Sequence, residues 1–205
     1  IMDLCEDLDD TSRAIGAVNT VTIKDGKLFG SNTDAYGFAQ NIKENAPDGW
    51  TFQGGKALVL GAGGAANASV YDLLQEGVQE IILTNRTRAK AEALVQMNPQ
   101  KINVIDWDDR SDACAETNLI VNTTTLGMKG QPALDIDISA APKSALVPDI
   151  VYAPLITDLL AQAQKREMNI ITGIGMLLHQ ARPGFKLWNG VLPEVTSELE
   201  KLVLS

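Results

Sequence analysis

Between Lys56 and Gly173 the chain alternates short apolar runs with stretches of helical character, and few architectures accept that alternation. The runs are Ala57 to Leu60, Glu80 to Thr84, Ile102 to Ile105, Leu119 to Asn122, Leu146 to Val151 and Asn169 to Thr172. Several are apolar throughout, without the polar alternation of a half-exposed sheet, so helices are expected to cover both faces. The pattern predicts a doubly wound parallel α/β sheet. A hydrophobic content of 45% over 205 residues supplies the core such a sheet needs and excludes a disordered chain.

The segments on either side of this alternation read differently. Ile1, Leu4, Cys5, Leu8 and Ile15 recur with roughly helical spacing, which predicts an amphipathic, core-facing helix at the start. Val18 to Lys24 and Lys27 to Gly30 flank Asp25-Gly26, a pair suited to the positive φ angles of a type I′ turn, and predict a β-hairpin. Asn32-Thr33-Asp34 offers capping side chains to a helix over Tyr36 to Ile42. A linker, Asn45 to Gly54, follows. Two closing helices are expected, Met176 to Trp188 and Pro193 to Leu204, with Pro193 as the first residue of the second.

The most specific local signal lies at the end of the first apolar run. Leu58-Val59-Leu60 leads into Gly61-Ala62-Gly63-Gly64-Ala65-Ala66 and then a helical stretch to Gln75. In this Gly-x-Gly-x-x-Ala turn Gly61 permits the tight bend, Gly63 lets a pyrophosphate approach the backbone, and Ala66 lets helix and strand pack closely. The alternative is an ordinary tight βα turn. The strand before it, the helix after it and the βαβ continuation favour a dinucleotide site of the Rossmann type. After the second run, where NAD sites commonly carry an acid for the ribose hydroxyls, stand Thr84-Asn85-Arg86-Thr87, then Arg88 and Lys90. A guanidinium pairs with a 2′-phosphate that a carboxylate would repel, so NADP is the expected cofactor, against a reading of Arg86 and Lys90 as solvated charges.

Composition narrows the function further. With 17 Lys+Arg against 26 Asp+Glu the net charge is −9, which lacks the basic footprint of a nucleic-acid binder. One histidine, His179, and two distant cysteines, Cys5 and Cys114, provide no metal cluster or disulfide framework. No membrane span and no signal peptide is expected, because no apolar run is long enough and Ile1 to Asp10 is acidic; a cytoplasmic protein follows. His179 reads as structural or exposed, without a recognisable carboxylate partner, and Cys114 as a buried or idle thiol.

Several motifs then fall together. Ile15-Gly16-Ala17-Val18-Asn19-Thr20-Val21, Gly30 to Phe38 with its Asn32-Thr33-Asp34, Gly61 to Ala66, Asn85-Arg86-Thr87 and Gly173 to Gln180 resemble the shikimate dehydrogenase family in order and spacing. Asn122 to Met128 and Asp149 to Leu160 are also similar to family segments. The resemblance implies reversible, NADP-dependent oxidation of shikimate to 3-dehydroshikimate, a step of aromatic amino-acid biosynthesis. It implies that Asn19 and Asp34 bind the substrate hydroxyls, that Asp34 is half of a catalytic Lys-Asp pair, and that Gln180 and Tyr152 complete the substrate pocket. Gly61, Ala62, Gly63, Gly64, Ala65, Ala66, Asn85, Arg86, Thr87, Lys90, Thr124 and Gly173 would bind the cofactor, Gly173 by backbone approach to the nicotinamide. The chemistry agrees, since oxidising a secondary alcohol needs an ionisable group at the hydroxyl proton and a polyol needs directional acceptors and amides. Asp34 equally suits a helix cap, Asn19 a strand residue and Gln180 a surface position.

The family's Ser-x-Ser and Asn-Val-Thr-x-Pro-x-Lys motifs are not found in these residues. By spacing from Asn19 the catalytic lysine would fall just ahead of Ile1; Lys24, Lys27 and Lys43 do not occupy its context. The expectation is a C-terminal portion of the enzyme. It would keep an NADP-binding domain over residues 35–172 and an incomplete α/β substrate domain over 1–34 and 173–205, with little activity alone. Exposed strand edges over Val18 to Gly30 would invite self-association, so both monomer and homodimer stay open. Rival readings are a quinate/shikimate dehydrogenase preferring NAD and a non-catalytic dinucleotide-binding module; a methylenetetrahydrofolate dehydrogenase is disfavoured by Asn-Thr-Asp-x-x-Gly-Phe.

Overall fold

The computed structural model describes residues 1–204, so Ser205, the last residue of the expected substrate domain, lies outside the described residues. Its strands are β1 (Asp7–Leu8), β2 (Thr20–Lys24), β3 (Lys27–Ser31), β4 (Lys56–Leu60), β5 (Glu80–Thr84), β6 (Ile102–Val104), β7 (Leu119–Asn122), β8 (Leu146–Pro148) and β9 (Asn169–Ile171). The α-helices are α1 (Asp10–Ile15), α2 (Asp34–Asn45), α3 (Gly64–Gln75), α4 (Arg88–Leu94), α5 (Asp158–Lys165), α6 (Gly173–Asn189) and α7 (Ser197–Leu204). Every expected strand of the alternating region is present, and all pair in parallel in one sheet of order β6-β5-β4-β7-β8-β9. Chain order runs outward in one direction from β4 to β6 and in the other from β7 to β9. The order reverses between β4 and β7, and it is at the carboxyl ends of such a pair that doubly wound sheets bind ligands.

Both faces of the sheet are apolar for the reason read from the sequence. Alternate residues of β4 point to opposite sides. Ala57 and Val59 join Ile81, Leu83 and Val121 under Phe38 and Ile42 of α2 and Val70 and Leu73 of α3. Leu58 and Leu60 join Ile120 and Val147 under Leu159, Leu160 and Ala163 of α5. On that second face the β7-to-β8 connection is not helical. Leu134, Ile136 and Ile138 are buried while Asp135 and Asp137 between them are exposed, so an extended segment of period two does the covering.

The smaller sheet has order β1-β3-β2. Its hairpin matches expectation: Lys24 pairs with Lys27 across Asp25 and Gly26, at φ 52° and 74°. The helix expected from Ile1 to Ile15 is overturned. Residues Met2–Leu4 form a single 3-10 turn, Asp7 and Leu8 pair in parallel with Phe29 and Gly30, and the α-helix starts only at Asp10. The cause is Asp9, whose carboxylate accepts from the Ser12 N–H at 2.7 Å and caps α1. Ile15 faces the core at 4% exposure, but Ile1 and Leu4 are 61% and 71% exposed. Pairing by β1 also places β3 inside the sheet, leaving β2 as the hairpin's open edge; there the Trp188 indole N–H donates to the Val21 carbonyl at 3.0 Å.

The closing helices differ in their starts. α6 begins at Gly173, not Met176, and α7 at Ser197, not Pro193. Thr196 fixes the second boundary, its hydroxyl accepting from the Leu199 N–H at 3.2 Å, whereas the Pro193 carbonyl accepts from Arg182 Nε at 2.7 Å in the loop before it. No helix among the described residues is long and apolar enough to cross a membrane.

Candidate active site

Asn19, at the entry to β2, and Asp34, at the first position of α2, meet through a bond from Asn19 Nδ2 to Asp34 Oδ1 of 2.9 Å. Asn19 is held by its other atom, since Oδ1 accepts from the Thr33 N–H at 3.1 Å, the Thr33 hydroxyl at 3.2 Å and the Thr20 hydroxyl at 3.0 Å. Asn32 Oδ1 accepts from the Asp34 N–H at 3.0 Å and provides the turn into the helix. Among the described residues neither the Asp34 carboxylate nor the side chain of Thr33, at the N-cap, caps the helix. Among the described residues Asp34 Oδ2 has no protein partner. Burial pushes the Asp34 carboxyl above the ordinary carboxylate range, and the Asn19 bond pulls the other way.

α6 supplies the opposite wall. A Cβ on Gly37 of α2 would lie 2.6 Å from Gln180 Cβ, and one on Gly175 of α6 would lie 1.8 Å from Asn41 Oδ1, so the two helices touch backbone to side chain. Asn41 Nδ2 adds a bond to the Thr172 carbonyl at 2.9 Å. This fixes Asp34 against Gln180, whose Nε2 donates to the Leu177 carbonyl at 3.1 Å and whose Oε1 stays free among the described residues. Asn19, Asp34, Tyr152, Gly173 and Gln180 line one cleft of about 280 Å³, floored by Ile150, Met176 and Leu177. Four expected substrate residues and one expected cofactor residue thus share a space. A Cβ on Gly173 would stand 2.2 Å from the Ile150 carbonyl, so packing by itself accounts for glycine there.

The glycine turn lies at the end of β4, beside the loop after β7. Gly61 has φ +116°, and a Cβ there would meet Thr123 Oγ1 at 2.6 Å and Thr124 Cγ2 at 3.0 Å. Gly63 forms the N-cap of α3 without a side-chain bond, and a Cβ on it or on Gly64 would meet nothing within 4 Å among the described residues beyond its chain neighbours and its own helix backbone. Ala62 and Ala66 are buried and Ala65 half-buried. The first N–H groups of a 12-residue helix thus stand open to solvent with no side chain in the way, which a pyrophosphate can approach. At the end of β5, Asn85 Nδ2 donates to the Thr87 carbonyl at 2.8 Å, closing the turn. Arg86, Thr87 and Lys90 are exposed, and Arg86 and Lys90 have no acidic partner among the described residues. Arg88 is committed elsewhere, to Glu92 at 2.8 Å and Asp106 at 2.6 Å.

Two polar clusters escaped the sequence reading. His179 does have a carboxylate partner: it is 1% exposed, with Nε2 3.1 Å from Glu44 Oε2 and Nδ1 3.2 Å from Arg182 Nη1. Burial lowers its pKa, so the neutral ring is favoured. Nothing in the sequence placed Glu44 of α2 opposite α6. The second cluster joins Asn122, Asp149 and Thr157, all buried, at the carboxyl ends of β7 and β8 and the start of α5. Its signal was readable, because polar residues closing otherwise apolar strands need partners. Cys114 is buried as expected, its thiol pushed up to about 12 by burial.

A parallel sheet with an open, glycine-lined helix N-terminus at its switch point, together with a cleft holding an acid and two amides, defines a dinucleotide-dependent oxidoreductase architecture. Residues 42–129 match the family described as Shikimate / quinate 5-dehydrogenase. A shikimate dehydrogenase (NADP(+)) of Paramagnetospirillum magneticum is 49% identical over all of this chain and 74% of its own length. Among solved structures, quinate dehydrogenase from Corynebacterium glutamicum in complex with NAD has a TM-score of 0.90 at 31% identity, covering 99% of this chain and 73% of the other. Shikimate 5-dehydrogenase from Thermus thermophilus in complex with NADP(H) and shikimate gives 0.83 at 34%, covering 98% and 72%. The chain belongs to the shikimate dehydrogenase family of oxidoreductases.

Proposed function

We propose that the chain binds NADP(H) and shikimate or 3-dehydroshikimate for their interconversion, with residues 35–172 as the cofactor unit and 1–34 and 173–205 as part of the substrate unit. The observation carrying this reading is the single cleft that gathers Asn19, Asp34, Tyr152, Gly173 and Gln180. NADP would be held by the Gly61 to Ala66 turn, with Thr124 beside it and Asn85, Arg86, Thr87 and Lys90 toward the 2′-phosphate; when bound, its nicotinamide exchanges the hydride. The free Asp34 oxygen accepts a substrate hydroxyl, Asn19 fixes the carboxylate that does so, and Gln180 offers Oε1 from the other wall. Removal of the hydroxyl proton as hydride leaves is the task of the family's Lys-Asp pair. Asp34 is the half of that pair within these residues, and no lysine lines the cleft among the described residues, so turnover by this polypeptide is slow while binding persists.

The name of the quinate dehydrogenase relative favours a second reading in which NAD is used, but the segment Asn85 to Lys90 has no acid for an unphosphorylated ribose. Fluorescence titration with NADPH and NADH, followed by shikimate and quinate, separates these. The reading requires saturable NADPH binding, at least about tenfold tighter than NADH. Equal affinity for the two, or no uptake of NADPH, overturns it.

A further inference from the structure

Asp149 is 1% exposed, and each of its oxygens is used. Oδ1 accepts from the Val151 N–H at 2.9 Å and from Asn122 Nδ2 at 3.0 Å, and Oδ2 accepts from the Thr157 hydroxyl at 2.7 Å. The Asn122 side chain continues the path. Its Nδ2 also donates to the Leu126 carbonyl at 3.2 Å, while Oδ1 accepts from the Thr124 N–H at 3.0 Å and the Thr124 hydroxyl at 2.7 Å. One carboxylate thereby reaches both halves of the proposed site. Through Val151 it sets the backbone between Ile150 and Tyr152, which line the substrate cleft, and through Asn122 it sets the turn at Thr123 and Thr124 that abuts Gly61. Thr157, which is not among the residues lining the cleft, ties the same carboxylate to the N-cap of α5.

We infer that Asp149 is a positioning residue that holds the cofactor turn and the substrate wall at a fixed separation, acting through Asn122 on one side and Val151 on the other. Apolar packing could close β7 and β8 at lower desolvation cost, and a buried polar network is retained where geometry has to be exact. The inference rests on the proposed function, since it presumes that Thr124 borders a bound dinucleotide.

The test compares NADPH affinity with melting temperature in the full chain. Asp149→Asn keeps an Oδ1 acceptor for both Val151 and Asn122 and is expected to bind NADPH within about twofold of wild type. Asp149→Ala and Asn122→Ala break the path and are expected to weaken NADPH on the order of tenfold, and the double variant no further. Thr157→Val removes the Oδ2 arm and, with it, the α5 cap bond from the Leu160 N–H, while leaving the Asn122 and Val151 bonds in place; its melting temperature falls but its NADPH affinity stays. Affinity losses that track melting temperature across all variants, including Thr157→Val, overturn the inference, as do additive losses in the double variant. If Asp149→Ala does not fold, Asn122→Ala decides alone: wild-type affinity overturns the inference. Failure of the wild-type chain to bind NADPH would instead overturn the proposed function, and the inference with it.

Discussion

Two glycines of one turn are predicted to fail in opposite ways. Gly61→Ala puts a side chain on a backbone at φ +116° and a Cβ 2.6 Å from Thr123 Oγ1. The backbone strain costs about 1–3 kcal/mol. Relief of the clash must move Thr123, whose hydroxyl donates to the buried Leu60 carbonyl at 2.7 Å, or displace the turn itself. Overpacking of that kind costs about 1–3 kcal/mol, and the lost bond about 1 kcal/mol more. The sum, roughly 3–7 kcal/mol, lowers the melting temperature of a chain this size by about 6–28 °C. Gly63→Ala has no such cost, because its φ of −95° suits alanine and nothing lies within 4 Å of the new Cβ. Its methyl group stands where a pyrophosphate would rest, so NADPH affinity falls by about tenfold or more, while the melting temperature falls by only about 2–4 °C because alanine is a poorer N-cap than glycine. Circular-dichroism melts and NADPH fluorescence titration read the two axes. A Gly61→Ala protein as stable as wild type, or a Gly63→Ala protein that binds NADPH normally, would refute this account of the turn.

Replacing Arg86 and Lys90 with glutamine is predicted to weaken NADPH about tenfold while leaving NADH unchanged, with the wild-type preference shrinking at high salt because both charges are exposed; equal losses for both dinucleotides would contradict the 2′-phosphate role. Asp34→Asn is predicted to reduce shikimate affinity of the NADP-saturated chain by about 10- to 100-fold in calorimetry, as a charge-assisted acceptor is lost. In wild type the same affinity should decline as pH falls through a range above that of ordinary carboxylates, because burial raises the Asp34 pKa and protonation removes the acceptor; a flat profile would count against it. Asp72, 7% exposed and with no partner for its Oδ2 among the described residues, has its pKa raised from 3.8 to about 8, chiefly by burial. The folded chain therefore keeps a proton that the unfolded chain releases, and stability present below pH 4 is lost by about 1.4 kcal/mol per unit as pH rises toward 8. Asp72→Asn should flatten that slope in denaturant titrations across the same window; an unchanged slope would place the proton elsewhere.

The parallel sheet was legible because its determinant is local in sequence. Ala57 to Leu60 and Leu119 to Asn122 are apolar at every position or nearly so, which only a strand buried on both faces accommodates, and the glycine turn marks β4 as the strand at the switch point. The opening segment misled for an equally physical reason. Helical spacing over Ile1 to Ile15 is a weak signal when an acid in the middle can cap: Asp9 starts a new helix at Asp10, and the two residues before it find strand partners in the hairpin. Pro193 misled similarly, since a proline suited to the first turn does not start a helix when Thr196 caps more effectively three residues later.

Side chains that meet across the sequence were legible only where a motif carried them. Asn19 and Asp34 are 15 residues apart, yet the hairpin between them returns the chain to its start, so their contact follows from local folding. Gln180 reaches the same cleft only because α2 and α6 pack through Gly37 and Gly175, and no periodicity in either helix announces its partner. Glu44 and His179 lie on those same two helices and meet for the same reason, which is why the one histidine looked unpartnered. The contact between α2 and α6 is therefore the element on which the site depends most. Gly175→Ala, driving a methyl group into Asn41 Oδ1, should separate Asp34 from Gln180 and expose His179 together; shikimate affinity lost while the histidine stays shielded from titration by NMR would show that the two helices do not move as one.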